Sequence, residues 1–167
     1  MAKLNNFLIL IGFKFTWIAC IFGEIYSNSY IGLSVGLLYL IFFFYFEENK
    51  SRSINIVLIF SITGYIWDSL LSYFNFYVID ADTVFLFLPL WFIVLWPCFC
   101  CLFVNVLRFF EKKIFFYSLI GSFIVTLTYY GGLKMGLAKI SQYSVFLFIY
   151  LFWFFLIFFY GKISPKF

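Results

Sequence analysis

The chain reads as an all-α polytopic transmembrane bundle of about six helices with both termini cytoplasmic. Three observations predict it: recurrent apolar runs of membrane-crossing length, a scarcity of charge, and a lopsided distribution of Lys and Arg along the 167 residues. Hydrophobic residues make up 66% of the chain and charged residues only 11%, against about a quarter charged in soluble domains. That leaves too little charge to cover a water-facing surface. The many Phe residues carry no functional weight here, because AT-rich coding accounts for them as well as selection does.

The apolar runs are Phe7–Phe22, Tyr30–Phe46, Ile54–Phe74, Val84–Leu107, Ile114–Tyr130 and Tyr143–Tyr160. Each fits or falls just short of the ~17–25 residues a spanning helix needs. Charge gathers in the breaks, at Glu47, Glu48, Lys50 and Arg52, at Asp80 and Asp82, at Arg108, Glu111, Lys112 and Lys113, and at Lys134 and Lys139. No connection is long enough for a separate fold, so residues 1–167 are expected to form a single integral membrane domain of helices, the form in which a chain satisfies its own backbone in lipid.

Six crossings place Lys3, Lys50, Arg52, Arg108, Lys112, Lys113, Lys162 and Lys166 on one side, and only Lys134 and Lys139 on the other. The positive-inside rule makes the first side cytoplasmic. Asp80 and Asp82 then face outward. Arg108, Lys112, Lys113, Lys50 and Arg52 read as topology anchors, and the net charge of +4 calls for no nucleic-acid partner.

The first run is read as a retained helix and not a cleaved signal: Lys14 interrupts it, Trp17 is poor in a lipoprotein cleavage box, and further spans follow. Ser164-Pro165-Lys166-Phe167 is a short polar tail without a prenylation box. Cys98, Cys100 and Cys101 fall in the inner half of the fourth span, and Cys20 in the first. With no His and no Cys-x-x-Cys pair, they read as small packing residues, and no metal or cofactor is expected. Gly32-x-x-x-Gly36, Gly132-x-x-x-Gly136 and the series Gly12, Thr16, Cys20, Gly23 predict close helix approach. Pro89 and Pro97 predict a bent fourth helix.

The residues that matter for function are polar groups at membrane depth. Asp68 stands fourteen residues into the third run, about 20 Å from the cytoplasmic boundary. An ionisable group there marks a functional site or an interhelical contact. Both readings stand at this stage. Trp67 adjoins it, Tyr129 and Tyr130 lie on the fifth helix, and Lys134 is close enough in depth to reach toward it. Lys14 lies about 10 Å inside the cytoplasmic boundary, with Trp17 one turn on to receive its charge over an indole face, unless it snorkels or pairs with Asp68. Asp68, Lys134, Trp67, Tyr129, Lys14 and Trp17 are the candidates for contact with a ligand or partner. Arg108 complements the helix dipole at the inner end of the fourth span.

Trp17-Ile18-Ala19-Cys20 with Gly23, Asp68-Ser69-Leu70, Pro89-Leu90-Trp91, Leu95-Trp96, Asn105-x-x-Arg108 and Tyr129-x-x-Gly132-x-Lys134-x-Gly136 occur in this order. Together they resemble a bacterial family of small multi-pass inner-membrane proteins that carries an unknown-function label. Val125-Thr126 departs from it where the family has Gly-Pro, which puts the bend in the fifth helix in question. The resemblance implies an integral inner-membrane protein and no particular activity. The helix count and Gly64-x-x-x-Asp68 are also similar in architecture to the rod-shape membrane scaffold and to vitamin-importer substrate-binding subunits, a likeness that does not carry function.

Three classes of function follow. The first is a non-enzymatic envelope accessory protein binding a lipid or a membrane partner through an outer-facing pocket around Asp68 and Lys134. The second is a small transporter or transporter subunit with Asp68 as coupling acid, set back by the lack of a visible inverted repeat. The third is an intramembrane enzyme, for which one deep carboxylate and no His supply no matched acid, base and nucleophile. No catalytic residue is assigned.

Overall fold

The computed structural model describes residues 6–81, 83–108 and 113–163. Through them run helices α1 (Asn6–Ile25), α2 (Ser29–Phe46), α3 (Lys50–Tyr73), α4 (Phe92–Val104), α5 (Ile114–Lys134) and α6 (Val145–Ile163). All except α4 are long and apolar enough to cross a membrane. The chain divides into two compact units, Met1–Ser69 with Ala81–Leu107, and Leu70–Asp80 with Arg108–Phe167.

In the first unit α1, α2 and α4 pack on one another, and small residues set the approach. A Cβ on Gly32 would lie 2.7 Å from the Cys20 Cα, and one on Gly36 would lie 2.5 Å from Val94 Cγ2. Tyr39 lies against Gly12, where a Cβ would stand 2.7 Å from its ring, and its hydroxyl donates to the Ile9 carbonyl at 3.1 Å. The first glycine pair therefore does what its spacing predicts.

The fourth apolar run departs from expectation. In place of a continuous Val84–Leu107 span, residues 84–89 form an antiparallel hairpin of β2 (Val84–Phe85) and β3 (Leu88–Pro89), after β1 (Tyr77–Ile79). Leu86 and Phe87 make its turn at φ 45° and 70°. Left-handed backbone costs about 1–2 kcal/mol at each such residue. What remains, α4, has 13 residues, about 20 Å of helix. Pro89 suits the strand end, where its missing N–H leaves no orphan donor, while Pro97 sits inside α4.

Helix ends are closed by local bonds. After α1, the Ser27 N–H reaches the Glu24 carbonyl and the Asn28 N–H the Gly23 carbonyl, both at 2.8 Å, with Ser27 at φ 54°. This is a Schellman cap built on serine, where glycine is usual. Ser27→Gly should therefore raise unfolding stability by up to about 1 kcal/mol, relieving left-handed strain at an exposed position. A lowered midpoint in a denaturant titration would contradict it.

The second unit contains the last turn of α3, β1, α5, β4 (Ala138–Ile140) and α6. Here α5 and α6 pack as a pair, with Gly161 against Ile114 and the rings of Phe115 and Phe154 5.7 Å apart. Strands β1 and β4 pair antiparallel, Tyr77 opposite Ile140 and Ile79 opposite Ala138. The sequence predicts no strand here; the ladder pairs backbone that leaves the helices on both segments. It brings the connection after α3 and the one between α5 and α6 to one end of this unit. Lys139 Nζ and Asp80 Oδ2 close the ladder at 2.6 Å, an exposed pair worth at most about 1 kcal/mol.

Gly132-x-x-x-Gly136 does not act as a packing motif throughout. Gly132 faces the Tyr77 hydroxyl, but a Cβ on Gly136 would meet nothing within 4 Å. Gly136 sits at φ 75°, its N–H on the Leu133 carbonyl and that of Leu137 on the Gly132 carbonyl, both 3.1 Å. Its work is to end α5. No break appears at Val125-Thr126: α5 is continuous, and Ser118, Ser122 and Thr126 return their hydroxyls to carbonyls one turn back.

Candidate functional site

Asp68 sits on α3 one turn beyond Gly64, and the i, i+4 spacing puts both on one face. Against that face lies the indole of Trp96 from α4. A methyl group at Gly64 would overlap the Cε3, Cζ3 and Cη2 atoms of that ring, so the absent side chain is what lets the indole lie against α3. From there Trp96 Nε1 donates to Asp68 Oδ2 at 2.8 Å. Both residues are 4% exposed. Gly64-x-x-x-Asp68 is thus a socket, with room at one position and an acceptor at the other.

The same chemistry recurs at two other levels of the fourth segment. Trp91, at the N-cap of α4, donates its indole N–H to Glu24 Oε2 of α1 at 2.8 Å, and Ser29 Oγ donates to the same oxygen at 2.7 Å. At the other end, Asn105 Nδ2 donates to Glu47 Oε2 at 2.9 Å, while Glu47 Oε1 takes the Asn49 N–H at 3.1 Å. Trp91, Trp96 and Asn105 therefore link the α4 segment to one carboxylate each of α1, α3 and the end of α2. An indole nitrogen only donates, and a side-chain amide neither gains nor loses a proton in the ordinary range. Such pairs can orient and hold helices.

The other expected residues are distributed as follows. Trp67 is half-buried on α3. Lys14 is exposed, its Nζ 5.8 Å from the centroid of the Trp17 ring. Tyr129 and Lys134 belong to the second unit. There the Tyr129 carbonyl accepts from the Tyr77 hydroxyl at 2.8 Å, and Lys134 Nζ stands 5.4 Å from the Tyr130 ring centroid. Lys50 and Lys113 are exposed at the starts of α3 and α5, Arg52 is half-buried, Arg108 is exposed after α4, and Lys112 lies outside the described residues, as do Lys3, Asp82, Glu111 and Lys166. The four cysteines are free and buried. Among the described residues no group of three or more His, Cys, Asp or Glu could hold a metal ion.

Sequence reasoning singled out Asp68 but not its donor, and passed over Glu24 altogether. A signal was present: Trp91, Trp96 and Asn105 all fall within the motifs that carry the family resemblance, and Gly23 immediately precedes Glu24. An apolar cavity of ≈ 240 Å³ also opens in the first unit, lined by Leu40 and Phe44 of α2, Ile54, Val57, Leu58 and Ser61 of α3, and Pro97 of α4.

No curated protein and no solved structure matches the chain. A protein-family model does, over residues 6–159, a stretch that takes in Asp68 and all three donors of the α4 segment. By that match the chain belongs to the family described as protein of unknown function (DUF2878).

Proposed function

We propose that this protein is a non-enzymatic accessory component of a bacterial inner membrane, with both termini cytoplasmic, that binds a lipid or a membrane partner. The observation that carries the reading is the bond from Trp96 to Asp68. The deep carboxylate, which the transporter reading takes as coupling acid, is buried and engaged by a donor that does not titrate. Its place in the chain is then that of an interhelical fastening, the second of the two readings open to an intramembrane acid. Apolar surface is what the first unit offers a ligand, and the cavity between α2, α3 and α4 is of a kind that suits an acyl chain.

Native mass spectrometry from mild detergent tests this. Wild type should carry a stoichiometric lipid or co-purifying membrane protein, and bare protein under the gentlest release would overturn the proposal. Asp68→Asn keeps an oxygen that accepts from the Trp96 indole, so this variant should insert in the membrane and hold the same bound mass. A mass lost in Asp68→Asn alone, from an otherwise folded protein, would move the binding site onto the carboxylate.

A further inference from the structure

The hairpin at residues 84–89 is built against the usual rules for water. A two-residue turn with both residues at positive φ is the natural place for Asn-Gly or Asp-Gly, which adopt that backbone readily and hydrate well. This chain puts Leu86 and Phe87 there, 60% and 53% exposed, and flanks them with exposed Val84 and Phe85. In hydrocarbon the preference reverses. Asn and Asp would be costly, and apolar side chains are rewarded for the same placement.

Below the tip the main chain is largely paired, which limits the cost of bringing it near lipid. Val84 pairs with Pro89 and Phe85 with Leu88, the Leu90 N–H closes the base on the Thr83 carbonyl at 3.0 Å, and Pro89 has no N–H to satisfy. The Phe85 carbonyl takes the Tyr65 hydroxyl at 2.7 Å. Tyr65 lies eight residues before the end of α3 at Tyr73, about 12 Å along the helix. The hairpin is therefore fastened to the interior of a spanning helix and not to its rim. The Phe85 ring lies 6.5 Å from that of Tyr65, on the part of α3 where Ile62 and Ile66 are also exposed.

We propose that Val84–Pro89 is a membrane-inserting hairpin whose Leu86 and Phe87 side chains reach into the lipid hydrocarbon beside Tyr65 of α3. Its partner is the acyl region of the bilayer itself. The hairpin makes up part of the depth that α4, at 13 residues, is too short to cross. This deepens the membrane reading above and rests on it.

The test is spin labelling of Leu86→Cys, and separately of Phe87→Cys, in proteoliposomes; the four native cysteines are buried and serve as the unlabelled background. Ile62→Cys provides the lipid-facing reference and Lys139→Cys the exposed one. Relaxation by oxygen should dominate at residues 86 and 87 as at residue 62, with loss of the nickel-chelate effect seen at residue 139. Chelate access at 86 and 87 equal to that at 139, with residue 62 still in lipid, would overturn the hairpin proposal alone. Exclusion of both reagents at 86 and 87 would overturn it too, placing the tip under protein. Chelate access at residue 62 would overturn the membrane reading and the hairpin with it.

Discussion

Trp96→Ala should lower the unfolding free energy in mixed micelles by about 3–5 kcal/mol, the usual range for truncating a buried large aromatic. Two losses combine in that figure, the indole volume between α3 and α4 and the donor to Asp68. Trp96→Phe separates them. It keeps a ring and removes the N–H, and should cost about 1–2 kcal/mol, between the small values typical of membrane hydrogen bonds and the penalty for a buried acceptor left unmatched. If the bond is as important as its burial implies, Asp68→Leu combined with Trp96→Phe should cost less than the two single changes added together, because neither half of this bond is then left without the other. Strict additivity would mean that the bond contributes nothing.

A single methyl group at Gly64 should do comparable harm. In an exposed helix Gly→Ala gains up to about 1 kcal/mol from backbone propensity, and Gly131→Ala on α5, where a Cβ meets nothing within 4 Å, should show that gain. Gly64→Ala should instead lose about 1–3 kcal/mol, the range for overpacking. The added carbon would meet a rigid ring that cannot withdraw without surrendering Asp68. Mixed-micelle unfolding of the two variants side by side is the measurement, and equal stabilisation of both would rule out a tight Gly64–Trp96 contact. Trp96→Phe should soften the effect of Gly64→Ala, since the smaller ring leaves room for the methyl.

Much of the helical layout is legible in the sequence for a simple reason. Length and apolarity decide which segments can cross lipid, and five of the expected runs coincide with helices that meet both conditions. The fourth misleads because its turn is made of Leu86 and Phe87. Turn chemistry is read from Gly, Asn and Pro, and here the left-handed positions carry residues that look like the middle of a span. Gly136 misleads in the opposite direction: spacing alone cannot tell a glycine that admits a neighbouring helix from one that ends its own. Asp68 could be singled out from depth, but its donor lies 28 residues away on another helix, and no local period connects the two. Glu24 sits just past an apolar run, where an acidic residue looks like an ordinary helix end until Trp91 is seen beside it.

The three links to the α4 segment also imply an order of manufacture. Every acceptor, Glu24, Glu47 and Asp68, precedes every donor, Trp91, Trp96 and Asn105, along the chain. A ribosome feeding this chain into the membrane delivers the three carboxylates before the segment that binds them. A 13-residue helix lacks the length to partition stably on its own, so it arrives where its fastenings are already waiting. The short fourth helix is in this sense a keystone, dependent on a frame built ahead of it.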